Sequence, residues 1–219
     1  MIRALIFDFD GLILDTEGPI YRSWKEVYEA HGVTLPFELW VKTVGSSKQA
    51  FHPQFHLEEH LDRKLPQDVI HRQIERRAEL VLTQPLLPGV ADLIQSARKA
   101  GLKLGVASSS SQEWVNGHLE RLGIVARFDC IRGRDDVAHV KPEPDLYLAV
   151  LDCLGVTAAD AVAIEDSPNG ITAAKGAGLR CVAVPNPITA GLDLSQADLQ
   201  LTSLAELTLP ALLERLSTQ

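Results

Sequence analysis

The stretch Ala4-Leu5-Ile6-Phe7-Asp8-Phe9-Asp10-Gly11-Leu12 runs an apolar strand straight into two carboxylates. Leu5, Ile6 and Phe7 read as a strand buried on both faces, of the kind found inside a parallel sheet. A charge at the end of such a strand is costly unless something pairs with it. The two-residue period of a strand sets Asp8 and Asp10 on the same side. Gly11 then allows a sharp turn or a close backbone approach to a ligand. A divalent cation neutralising the pair, with a phosphate docked beside it, makes physical sense of the arrangement.

Outward from this strand the chain changes character twice. Residues 18–84 read as helical throughout, with helices over Tyr21–His31 and around 37–44, 50–62 and 67–83, broken by Gly32, Pro36, Gly45-Ser46-Ser47 and Pro66. From Pro85 strands and helices alternate: helix 90–100, strand Lys103–Ala107, helix 112–122, strand 128–131, helix 145–154, strand Ala161–Ile164, helix 168–177, strand Arg180–Val184 and a last helix near 203–217. Gly101, Gly123, Gly155 and Gly178 follow four of these helices and suit C-terminal caps. Such alternation predicts an α/β fold, a Rossmann-like parallel sheet with helices on both faces. The helical block reads as an inserted all-helical cap domain, residues 16–85, with the core formed by 1–15 and 86–219.

The 219 residues suffice for one sizeable core plus a small insert, and 46% hydrophobic with 23% charged residues is ordinary for a globular chain. A net charge of −8 disfavours nucleic acid or an anionic membrane as partner. Apolar runs fall short of the ~20 residues that span a bilayer, so a cytoplasmic protein is expected, a monomer or at most a weak dimer. Cys130, Cys153 and Cys181 are odd in number, widely spaced and without a C-x-x-C pair. They read as small buried hydrophobes rather than as a disulfide or zinc framework.

In an open parallel sheet, ligands bind beyond the carboxyl ends of the strands. Four such ends carry reactive groups here. The first offers Asp8 and Asp10, and the second a hydroxyl run from Ser108 to Ser111. The third leads to Lys141-Pro142-Glu143-Pro144-Asp145, and the fourth ends in Glu165-Asp166-Ser167 before Pro168-Asn169-Gly170. Taken singly, each has a plain reading: a serine loop, a solvated lysine, a helix cap. Asp145 reads as the cap of the helix that follows it. Their convergence on one sheet edge is what favours an active site.

The segments DFDGLILDTE (8–17), Ser108, KPEPD (141–145) and IEDSPNG (164–170) resemble the four motifs of the haloacid dehalogenase (HAD) superfamily, in family order and spacing. The resemblance covers residues 1–17 and about 86–190. The helical insert is similar to the cap of the subgroup that holds sugar-phosphate phosphatases and β-phosphoglucomutase. The resemblance implies that Asp8 is a nucleophile forming an aspartyl phosphate, with Asp10 as general acid and base. It implies Mg²⁺ on Asp8, the Asp10 carbonyl, Asp166 and Glu165. Ser108, Ser109 and Lys141 would bind the phosphate, with Gly11 and Thr16 beside them. The presence of Asp10 argues against dehalogenase chemistry.

The cap loop Gly45-Ser46-Ser47-Lys48-Gln49 resembles the one that faces the active site in this subgroup, which makes Lys48 a candidate substrate contact. Arg76 and Arg77 read as surface residues. His52, His56 and His60 recur at helical spacing but read as a solvated face, while Trp24, Tyr28 and Trp40 read as cap core. Ile20 stands where β-phosphoglucomutases carry a histidine, so a phosphatase acting on a small phosphorylated metabolite is expected ahead of a mutase. A binding protein on the same fold would not need Asp8, Asp10 and Lys141 together. Phosphonate cleavage through Lys25 or Lys42 has less to recommend it.

Overall fold

In a computed structural model describing residues 1–41 and 51–217, the chain forms a six-stranded, all-parallel sheet. Its strands are β1 (Ala4–Phe7), β2 (Lys103–Ala107), β3 (Cys130–Arg132), β4 (Ala161–Glu165), β5 (Arg180–Ala183) and β6 (Leu199–Gln200). They lie in the order β3-β2-β1-β4-β5-β6, so β1 is central, with Phe7 opposite Val106 on one side and Ile164 on the other.

Alternation along the strands sorts the core into two layers. Leu5, Phe7, Leu104, Val106, Val162, Ile164 and Val182 face one way, with α5 (Val90–Lys99), α6 (Gln112–Arg121) and α9 (Leu209–Ser217) against them. Ala4, Ile6, Ala163, Cys181 and Ala183 face the other way, toward α7 (Asp145–Leu154) and α8 (Pro168–Gly176). Small residues on the second face suit the close approach of those two helices.

Between β1 and α5 lie α1 (Glu17–Ala30), α2 (Phe37–Val41), α3 (Pro53–Leu61) and α4 (Gln67–Leu82). These helices have a core of their own, in which Trp24, Tyr28 and Trp40 meet Leu57 and Leu65, as expected for an inserted helical cap. Ile188, from the loop after β5, packs into the same cluster. Lone β-bridges join Asp10 to Leu14 and Leu14 to Leu86, where the chain leaves and re-enters the α/β core.

The four glycines expected after helices all take positive φ. The last helix is shorter than expected. It begins at Leu209 because Pro210 suits a first helical turn, while Glu206 satisfies the Thr202 backbone N–H at 2.8 Å in a turn ahead of it. Asp145 does not cap α7: Pro144 holds the cap position and the Asp145 carboxylate meets His139 Nδ1 at 3.1 Å. The reading of the cysteines is also corrected. Cys130 on β3 and Cys153 on the exposed side of α7 form a disulfide, with Cα atoms 6.2 Å apart, and Cys181 alone is a buried free thiol. The 23-residue separation hid a pair that the β3–α7 packing brings together. Among the described residues no helix is long and apolar enough to cross a membrane.

Candidate active site

The carboxyl ends of β1, β2 and β4 and the loop before α7 open into a cleft of about 420 Å³ beneath the helical block. Asp8 follows β1, its backbone N–H donating to the Ile164 carbonyl at 2.9 Å, so the main chain fixes where its carboxylate stands. Lys141 donates to Asp8 Oδ1 and, at 2.6 Å, to Glu165 Oε1. The Tyr147 hydroxyl donates to that same Glu165 oxygen at 2.5 Å. All four side chains are buried.

Asp166 lines the cleft, whereas Glu165 lies buried behind it. Its Oδ2 accepts from Asn186 Nδ2 at 2.6 Å, and the same amide group donates to the Gly11 carbonyl at 3.1 Å. Gly11 is required here. Its φ is +83°, and a Cβ would overlap the Asp166 carboxylate and the Asn186 amide. On α8, Ser167 caps the helix by accepting from the Gly170 N–H at 3.2 Å, with Pro168 in the first turn. The capping reading of this segment therefore holds.

Asp10 is held by three donors. Ser108 and Ser110 hydroxyls reach Oδ2 at 3.1 and 2.7 Å, and the Trp114 indole N–H reaches Oδ1 at 3.0 Å. Ser108 is fully buried, so Ser109 and Ser110 rather than Ser108 line the cleft. Thr16 lines it as well, its buried Oγ1 without a hydrogen-bond partner.

Burial dominates the electrostatics. It pushes the Asp8 carboxyl up to about 8, Glu165 and Asp10 adding to the effect and Lys141 opposing it. Asp166 is pushed well above the usual carboxylate range by burial and then by Asp8 and Glu165. For Lys141 burial opposes the charge, but Asp8 and Glu165 together hold it raised. Asp8, Glu165 and Asp166 bring carboxylate oxygens within 4.8 Å of one another, the only such cluster of potential metal ligands among the described residues. Three buried carboxylates facing one ammonium make an oxygen-rich, electron-rich pocket, and that donor set fits a hard divalent cation.

Several cleft residues were missed or misjudged from sequence. Arg77, expected at the surface, lines the cleft and lies 5.9 Å from the Trp114 ring centre, whereas Arg76 is exposed and pairs with Glu26 at 3.0 Å. The helical phase of α4 separates these neighbours, but from sequence nothing told which of its faces met the core. Glu17 also lines the cleft, its carboxyl raised to about 7 by enclosure and then by Asp10 and Asp15. Asn186, Tyr147 and Trp114 carried no motif signal that would have singled them out. Lys48, like Lys42, lies outside the described residues. His56 shares a hydrogen bond with the Tyr28 hydroxyl at 2.9 Å, and the histidine series assembles no metal cluster among the described residues.

A family model described as haloacid dehalogenase-like hydrolase matches residues 5–184. A Bacillus subtilis protein named "Putative phosphatase YhcW" is 44% identical over the full length of both chains. Hexitol phosphatase B of Escherichia coli is 33% identical, covering 97% of each chain. The crystal structure of a CbbY variant from Rhodobacter sphaeroides, in complex with xylulose-1,5-bisphosphate, is 34% identical with a TM-score of 0.75, over 97% of this chain and 99% of that one.

Proposed function

The chain belongs to the haloacid dehalogenase-like hydrolase family, and from that membership we propose that it hydrolyses a small phosphate monoester, a sugar phosphate in particular, by way of a phosphorylated Asp8. The observation that carries this reading is the pairing of Asp8 with Lys141 at the floor of a cleft whose wall presents Asp10. Names of similar proteins, a hexitol phosphatase and a protein crystallised with a sugar bisphosphate, support the substrate class.

Asp8 attacks phosphorus as a carboxylate, and the bond from phosphorus to the ester oxygen breaks. Asp10 gives its proton to the departing oxygen. A water then attacks the aspartyl phosphate, Asp10 takes a proton from it, and inorganic phosphate leaves with Asp8 restored. Lys141 offsets negative charge on Asp8 and on the phosphoryl group, while Ser109 and Ser110 line the phosphate's seat. Mg²⁺ would be held by Asp8, Asp166 and the Asp10 carbonyl, with Glu165 the further carboxylate within reach. When bound, it screens the charge of the attacked phosphoryl group. Residues 16–85 form the cap that closes over this site, and 1–15 with 86–219 form the core that performs the chemistry.

The test is phosphate release from sugar phosphates, nucleotides and p-nitrophenyl phosphate, with Mg²⁺ or with EDTA. Activity is expected with at least one sugar phosphate, lost in EDTA and in Asp8→Asn protein. Full turnover by Asp8→Asn would overturn the mechanism. Isomerisation of glucose 1-phosphate without phosphate release would point to a mutase instead.

A further inference from the structure

Both oxygens of the Asp10 carboxylate are engaged, and every donor comes from the stretch that runs from the end of β2 into the first turn of α6. Where α6 begins therefore decides how the carboxylate is oriented. That start is well anchored. Ser111 caps the helix by accepting from the Trp114 backbone N–H at 3.3 Å, and the Gln112 backbone N–H donates to Asp135 at 2.9 Å. The indole of Trp114 is held on two sides. His118 meets it edge-on with ring centres 4.3 Å apart and itself stacks on Phe9 at 6.2 Å. From the helical block, the Arg77 guanidinium lies 5.9 Å from the indole centre, within reach of a cation–π contact.

The two kinds of donor differ in what else they can do. A serine hydroxyl can donate or accept, whereas an indole N–H can only donate. A proton on Oδ1 would oppose the Trp114 N–H, whereas one on Oδ2 is accommodated by reversing a serine hydroxyl. We infer that Trp114 is a positioning residue for the acid step: its N–H keeps Oδ1 as the acceptor oxygen and leaves Oδ2 to carry the proton that Asp10 delivers. Arg77, packed on the same indole, links this setting to the helical block. The inference rests on Asp10 acting as the general acid of the proposed hydrolase.

Leaving-group chemistry separates this role from a merely structural one. A sugar alkoxide is a poor leaving group and needs the proton, whereas p-nitrophenolate departs without it. Trp114→Phe keeps the ring and removes the N–H. Its kcat is expected to fall about tenfold or more further on a sugar phosphate than on p-nitrophenyl phosphate, with KM for each within about twofold of wild type. Asp10→Ala should show the same bias more strongly. An equal loss on both esters, or a change confined to KM, overturns the inference.

A second measurement does not depend on that variant folding. In a ¹⁵N spectrum the Trp114 indole N–H of the wild-type protein should resonate downfield and exchange slowly, and Asp10→Ala should abolish both features. An unmoved resonance also overturns the inference. Wild-type protein that cleaves no ester, yet keeps this resonance, would instead sink the hydrolase reading and leave the contact standing.

Discussion

Lys141 stands between Asp8 and Glu165, and all three side chains are buried. Removing the ammonium would leave two carboxylates facing each other in a poorly solvated space. Lys141→Met should therefore cost more than its lost activity suggests, about 3–5 kcal/mol of stability. The midpoint of urea unfolding, measured without metal, is the check. A midpoint equal to wild type would mean that the two acids are neutralised by other means. Tyr147 bears on the same balance, since its hydroxyl occupies the Glu165 oxygen that Lys141 also uses.

At the scale of elements, α8 turns an ordinary preference round. Alanine is normally favoured over glycine inside a helix by about 1 kcal/mol. At Gly170 a Cβ would fall on the Glu165 carboxylate, which packs against the helix's first turn. Gly170→Ala should thus lower the melting temperature and weaken activity together, as melting curves and phosphate release can show. The β3–α7 contact gives a further prediction: under denaturing, non-reducing conditions one thiol, Cys181, should react, and three after reduction. Reduction should cost about 3 kcal/mol of stability. These elements also show what could be read from sequence. Strand–helix alternation and the carboxylates at strand ends are local signals, so the sheet, and the meeting of Asp8, Asp10, Lys141 and Asp166 at its edge, were legible in the sequence. The Cys130–Cys153 pair, the inward turn of Arg77 and the grip of Trp114 on Asp10 were not. Each depends on which face of a helix meets a distant strand or cleft, and residue type alone does not record that.

For the whole molecule, the buried acids make stability depend on pH. Asp8, raised to about 8, and Glu17, raised to about 7, hold their protons more tightly in the folded chain than in the unfolded one. Their contribution is complete below their unfolded values near 4 and is lost as pH rises through 7 to 8. In EDTA the Tm should fall between about pH 5 and pH 8, with Mg²⁺ countering the fall at the upper end. Glu17→Gln should flatten part of the slope, and an unchanged slope would place the titration elsewhere. The lone bridges at Leu14 have a mechanical meaning. Leu14 is tied to Asp10 on one side and Leu86 on the other, so both crossings into the helical block share one line. Thr16 and Glu17 follow Leu14 closely in the chain and also line the cleft. A substitution that disturbs this seam is therefore expected to reach the cleft wall before it reaches the rest of the helical block.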